Sequence, residues 1–326
     1  MGPSLVRVQG RRLMVARRGS DGTLAAEVPY DMKGIAWSPN GEGEAFDGAG
    51  HLQTTHAAED AALMQAAHIN TVRTYGPMEI SDDGIAALDV LHAHGIMVAM
   101  TVFAALDDGR YTQAVNRFKD HPAVLMWLVG NEWNYNKLYS NVTTEEAAAR
   151  VNEVITAVAA LDPNHPVGSV YGEMPQPDTL NLVPAAQVWG VNLYPQLSFA
   201  TRFDDWKARS PLPLFVAEYG ADAYNRSADA GPAVDEVSQA HAVSVLTGLI
   251  RAHLSATSAD EALLGGCVFE WNDEWWKGGN PAQQDTGGFA NGGVYPDEFA
   301  HEEWWGVTTA SRQLRQAYLA LQAAYE

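Results

Sequence analysis

Eight short apolar runs recur along the chain, separated by longer helical patterns, and this alternation limits the fold more than any other feature. The runs are residues 32–37, 71–75, 97–103, 124–130, 167–171, 188–194, 214–218 and 266–271. They are rich in Val, Ile and aromatic residues and show little polar alternation, as strands buried on both faces do. The clearest helix is predicted over residues 144–161, where Val151, Val154, Ile155 and Val158 repeat at helical spacing. Thr143 and Glu146 form a capping-box pattern at its start, and Asp162-Pro163 stops it. Further helices are expected over residues 55–68, 236–253 and from 311 onward. Strands alternating with helices imply a parallel sheet, and eight such units favour closure into a (β/α)8 TIM barrel over an open sheet. No Gly-x-Gly-x-x-Gly follows the first strand, which removes the main dinucleotide-binding pattern.

Two stretches fall outside the repeat. Residues 1–30 carry Val6-Arg7-Val8 and Arg12-Leu13-Met14-Val15 around a Gln9-Gly10-Arg11 turn, and are expected to form a β-hairpin cap on the barrel bottom. Residues 31–326 then form the barrel. The segment 274–306 is long, irregular and glycine-rich, and follows strand eight on the face where barrel enzymes place their chemistry.

Composition narrows the partners. The 326 residues are 47% hydrophobic and 18% charged, enough to bury a core. A formal net charge of −20 argues against nucleic acid and against an anionic membrane surface. The single cysteine, Cys267, permits neither an intrachain disulfide nor a multi-cysteine metal site. No His-Glu-x-x-His spacing is present, and no metal or other cofactor is expected. No run approaches the roughly 18 apolar residues of a membrane span. Residues 1–10 lack the apolar stretch of a signal peptide. A secreted or periplasmic home with the signal already removed is the expectation, with the cytoplasm as the alternative.

Polar residues at the C-terminal ends of barrel strands share one cleft. Two carboxylates stand out there, Glu132 after strand four and Glu218 after strand seven. Each directly follows an apolar run, where an unpaired charge is costly. Alone, either could be a structural ion pair. Together they suit glycoside hydrolysis, in which carboxyl groups about 5–5.5 Å apart give retention and about 6.5–9.5 Å apart give inversion.

The flanking residues carry a resemblance. Leu128-Val129-Gly130-Asn131-Glu132 and Phe215-Val216-Ala217-Glu218-Tyr219-Gly220 are similar to the signature pair of clan-A glycoside hydrolases. Asn70-Thr71-Val72-Arg73-Thr74-Tyr75-Gly76 resembles β-glucanases and β-1,3-glucanosyltransferases. His121-Pro122-Ala123-Val124 also fits the β-galactosidase and β-glucuronidase branch. The resemblance implies that Glu132 is the general acid/base and Glu218 the nucleophile of a retaining double displacement. Arg73 is then expected to keep Glu218 charged, Asn131 to bond the sugar 2-hydroxyl, and Tyr194 to bond Glu218. Trp271 stands where the clan has an aromatic platform. Trp37, Trp133, Trp275 and Trp276 are expected to line the cleft and Glu173 to bind sugar, while Trp304 and Trp305 read as core.

The implied partner is a β-linked oligo- or polysaccharide, and the implied activity is hydrolysis or transglycosylation of a β-glucan or β-glucoside. The alternatives are an exo-acting β-galactosidase, β-mannosidase or β-glucuronidase, a non-catalytic carbohydrate-binding barrel, and, more distantly, a metal-dependent barrel isomerase or lyase. Oligomeric state is not legible.

Overall fold

A computed structural model describes residues 2–326. Eight parallel strands close into a barrel: Met32–Ala36, Thr71–Arg73, Met97–Phe103, Val124–Asn131, Val167–Tyr171, Val188–Asn192, Leu214–Tyr219 and Leu263–Val268. Each strand pairs with its sequence neighbours, and strand eight pairs with both strand seven and strand one. The fold is a (β/α)8 barrel.

The strands are apolar on both faces because both are covered. One core cluster lies between strands and helices and includes Val72, Val98, Val151, Ile155 and Leu246. A second fills the barrel interior with Met97, Leu125, Leu128, Phe215 and Leu264. The interior cluster runs without interruption into Val6, Leu13, Val15 and Tyr30. The N-terminal hairpin (Leu5–Gln9 with Arg12–Ala16) thus plugs one end of the barrel, and a third short strand, Val28–Pro29, extends it.

The helix Thr144–Leu161 starts at the Thr143–Glu146 capping box, with both reciprocal bonds made. Helix His51–Ala66 begins a turn earlier than residue 55, and helix Glu236–Arg251 is capped by the Asp235 side chain. The last helix starts at Gln316, not 311, because Arg312 and Arg315 turn inward to pair with Asp60 and Asp273.

Strand eight ends three residues earlier than its apolar run suggests. At Phe269 the chain leaves the ladder. The Glu270 amide then donates to the carbonyl of Trp305 at 3.1 Å, and the Trp271 amide to that of Ala36 at 3.0 Å. Close packing between strands eight and one depends on Gly265, which has φ +136; a Cβ there would lie 2.0 Å from the carbonyl oxygen of Met32. Gly265→Ala is expected to cost on the order of 3 kcal/mol, read as a lower urea midpoint at an unchanged slope.

Candidate active site

The connections at the C-terminal ends of all eight strands line one cavity of about 920 Å³. Glu132, Glu218, Asn131 and Tyr194 line it, and so does Trp276.

Glu218 sits on strand seven beside a register shift. Its carboxylate receives three donors: Arg73 Nη1 to Oε1 at 2.6 Å, Tyr75 hydroxyl to Oε1 at 2.9 Å and Tyr194 hydroxyl to Oε2 at 2.8 Å. An ionised carboxylate only accepts hydrogen bonds, which matches this arrangement. Burial pushes both phenols well above their ordinary pKa, so both keep their protons as donors. Tyr194→Phe removes the only described donor to Oε2 and is expected to lower kcat on the order of 10²-fold, measured at saturating substrate.

Arg73, fully buried at the end of strand two, ties the two carboxylates into one network. Its Nη2 donates to Asn131 Oδ1 at 2.6 Å. Asn192, the register partner of Glu218 on strand six, donates from Nδ2 to Asn131 Oδ1 at 3.2 Å and to Glu132 Oε1 at 3.0 Å. Among the described residues no donor reaches Glu132 Oε2. Burial, and next the charge of Glu218, push the Glu132 carboxyl up to about 7. Two carboxyl groups in one cavity thus differ in environment, one ringed by donors and one holding its proton towards neutrality.

The backbone at Glu132 is left-handed, with φ 49 and ψ 33. A non-glycine residue in that region stores strain, of order 1–3 kcal/mol, and needs surroundings that hold it. Here the Glu132 amide donates to the Val170 carbonyl at 3.1 Å, and the Glu132 carbonyl accepts from the Tyr135 amide at 2.8 Å. Gly130, with φ +79, clears the way: a Cβ there would lie 2.7 Å from the Trp133 ring. The turn therefore aims Glu132 while burying Trp133 beneath it.

The tryptophans divide. Trp276 lines the cavity and stacks on Phe46 at 6.0 Å. Trp37, Trp133 and Trp271 do not reach it. Trp37 is fully buried with Nε1 donating to Asp60 at 2.9 Å, and Trp133 with Nε1 donating to Ser169 at 2.9 Å. Trp271 faces outward against Tyr318 of the last helix, 6.3 Å between rings, because strand eight has already ended. Phe269 and Trp305 stand in the cavity wall instead. Trp275 is half-buried and Glu173 exposed, and neither is in the lining.

Several lining groups were not singled out from sequence. Tyr75 and Asn192 are two. Asn192 Oδ1 and Trp305 Nε1 are buried without a hydrogen-bond partner. Lys277 is a third, held at 2.6 Å from Glu274, 3.8 Å from Glu270 and 3.8 Å from Glu302. Glu274, Lys277, Glu302 and Trp305 come from the segment 274–306, which folds as a short 3-10 turn, Trp275–Gly278, and a hairpin of Gly288–Ala290 with Phe299–His301. No group of three or more His, Cys, Asp or Glu side chains among the described residues is arranged to hold a metal ion. No helix among them is long and apolar enough to cross a membrane.

Asn131, Glu132, Asn192, Tyr194 and Glu218 lie within a stretch with known relatives, and Arg73 and Tyr75 lie outside it. Residues 104–231 match "Glycosyl hydrolases family 2, TIM barrel domain". Among curated proteins the chain is similar to the β-glucuronidase of Sus scrofa, 31% identical over 154 residues, which is 43% of this chain and 22% of that one. It is likewise 31% identical to the Homo sapiens β-glucuronidase over 122 residues, 34% of this chain and 17% of the other. The matched region thus spans about a fifth of the length of these relatives.

Solved structures share the fold at lower identity. A GH2 β-galacturonidase from Eisenbergiella tayi bound to galacturonate superposes with a TM-score of 0.65 at 16% identity, covering 99% of this chain and 54% of that one. A β-D-glucuronidase from Dictyoglomus thermophilum gives 0.64 at 18%, covering 99% and 53%. The motif resemblance to β-glucanases and β-1,3-glucanosyltransferases is therefore not where the measured similarity lies; it lies with family 2, the branch that the His121-Pro122-Ala123-Val124 segment also fitted.

Proposed function

We propose that this chain forms the catalytic barrel of a retaining, exo-acting β-glycosidase. The observation that carries the reading is the joint network: Glu132 and Glu218 face one cavity and are linked through Asn192, Asn131 and Arg73. In the first half-reaction Glu218 attacks the anomeric carbon, the glycosidic bond breaks, and Glu132 gives its proton to the leaving oxygen. In the second, Glu132 takes a proton from water, which attacks the same carbon and releases Glu218. Asn131, oriented by both Arg73 and Asn192, is placed to bond the sugar beside the reacting centre.

The exo preference rests on shape. The segment 274–306 supplies Trp276, Lys277, Glu302 and Trp305 to one wall, and the loops after the other strands supply the rest. A pocket closed on one side by this segment accepts a chain end, whereas an open groove would accept a chain interior. Both the wall and the similarity to family 2 support this alternative over the β-glucan reading. Tyr135 and Tyr139, 61% and 74% exposed where they line the mouth, offer aromatic faces to the leaving group.

Proton NMR of the reaction with aryl β-glycosides tests the proposal. The β-anomer of the free sugar is expected to appear first and then mutarotate. Initial release of the α-anomer, or no turnover of any β-glycoside, would refute it.

A further inference from the structure

We infer that the sugar accepted in this cavity carries no carboxylate: the ring of carboxylates around Lys277 reserves that cation and excludes a uronate. This rests on the glycosidase reading above and goes beyond it to the substrate class. It also sets the chain apart from its curated relatives, which are β-glucuronidases by name.

A sugar carboxylate buried in a pocket needs a cation of its own or an equivalent set of donors. Leaving aside Glu132, which holds its proton towards neutrality, the ionisable lining of the cavity is unbalanced, with Asp108, Glu218, Glu274 and Glu302 against Arg110 and Lys277. Each cation nearby is already engaged. Arg73 lies behind the wall, fully buried, and bonds Glu218 and Asn131. Arg110, at the rim, bonds the Asp108 carboxylate at 3.2 Å and the Gly48 carbonyl at 3.2 Å. Lys277 contacts Glu274 at 2.6 Å and has Glu270 and Glu302 each at 3.8 Å. Its remaining face lies 4.6 Å from the Phe269 ring centre.

Burial and the charge of Glu274 keep Glu270 protonated, well above the ordinary carboxylate range. Burial also raises the Glu302 carboxyl, against the lowering pull of Lys277. Even so, Lys277 faces both Glu274 and Glu302, and a uronate would bring one more carboxylate to a single ammonium that is already shared. Like charges brought together in this way cost several kcal/mol and act as a device of rejection. A neutral hexose meets no such opposition. Its hydroxyls can donate to the Glu274 and Glu302 carboxyl groups of the lining.

The test uses the full chain with Glu132→Gln, in which Gln stands for the protonated acid. Methyl β-D-glucoside, galactoside and mannoside are titrated by NMR against methyl β-D-glucuronide and galacturonide at pH 6. The best neutral glycoside is expected to bind about 100-fold more tightly than either uronide. Adding Glu302→Gln, a half-exposed position that should tolerate the change, is expected to narrow that gap about tenfold. A uronide that binds as tightly as the neutral sugars, a gap that Glu302→Gln leaves untouched, or no saturable binding of either series would overturn the inference.

Wild-type kinetics separate the two claims. Neutral sugars that bind but are not turned over sink the glycosidase reading and leave the selectivity standing. A uronide that is turned over faster does the reverse.

Discussion

Glu218→Gln is expected to lower kcat by at least about 10⁴-fold on every β-glycoside that the wild type cleaves, since it removes the attacking oxygen and leaves only binding and acid catalysis. With the Gln carbonyl in the place of Oε1 it can still accept from Arg73 and Tyr75, while its NH2 meets the Tyr194 hydroxyl, so the sugar pocket keeps most of its shape while the reaction stops. KM should therefore change far less than kcat. The alanine variant makes a second, structural prediction. Arg73 is fully buried, and Glu218 is its only carboxylate partner at 2.6 Å. Removing one member of a buried pair strands the other charge, at a cost of roughly 3–5 kcal/mol. Both variants should thus lose activity and stability, and Glu218→Gln should lose less stability than Glu218→Ala because its carbonyl can still accept from Arg73. Urea unfolding of the two variants beside the wild type checks the distinction.

The second large effect falls on Glu132. Its carboxyl is pushed up to about 7, so the acid form needed for the first half-reaction is present below that pH and lost above it. With alkyl leaving groups, kcat/KM should fall about tenfold per pH unit on the alkaline side of neutrality. Glu132→Gln should cost about 10²–10⁴-fold on those substrates and flatten the alkaline limb. Dinitrophenyl glycosides leave without a proton, so their glycosylation step should change little. A pH–rate profile for each leaving-group class reads all three outcomes. If both classes lose activity equally, Glu132 is not the acid.

Particular residues show why some of this architecture was readable from the chain alone. The stretches Met97–Phe103 and Val167–Tyr171 are strands with the bounds that their apolar runs gave, because helices cover one face and the barrel interior the other. Glu132 and Glu218 were visible because a carboxylate placed directly after such a run has no ordinary reason to be there. The short helices Tyr111–Phe118 and Arg202–Arg209 were harder to see: each has only eight residues, too few for periodicity to register.

Tryptophan was the least legible residue type. Trp37, Trp133 and Trp271 stand near strand ends in sequence, just where a platform would be sought. In the fold, two of them spend their indole N–H on Asp60 and Ser169, and the third packs under the last helix. Trp305, which reads as core, reaches the cavity because the segment 274–306 returns beside strand eight. That return is a long-range event with no local sequence signal. Asn192 shows the same limit: its role follows from its register opposite Glu218, which only strand pairing reveals.

The most direct test of the central claim is covalent trapping. The protein is incubated with 2-deoxy-2-fluoro-β-glycosyl fluorides of the gluco, galacto and manno series, digested, and examined by mass spectrometry. The account predicts a single glycosyl adduct on the peptide bearing Glu218, absent in Glu218→Gln. An adduct on Glu132 or elsewhere, or turnover of β-glycosides with no adduct and inverted product, would contradict it.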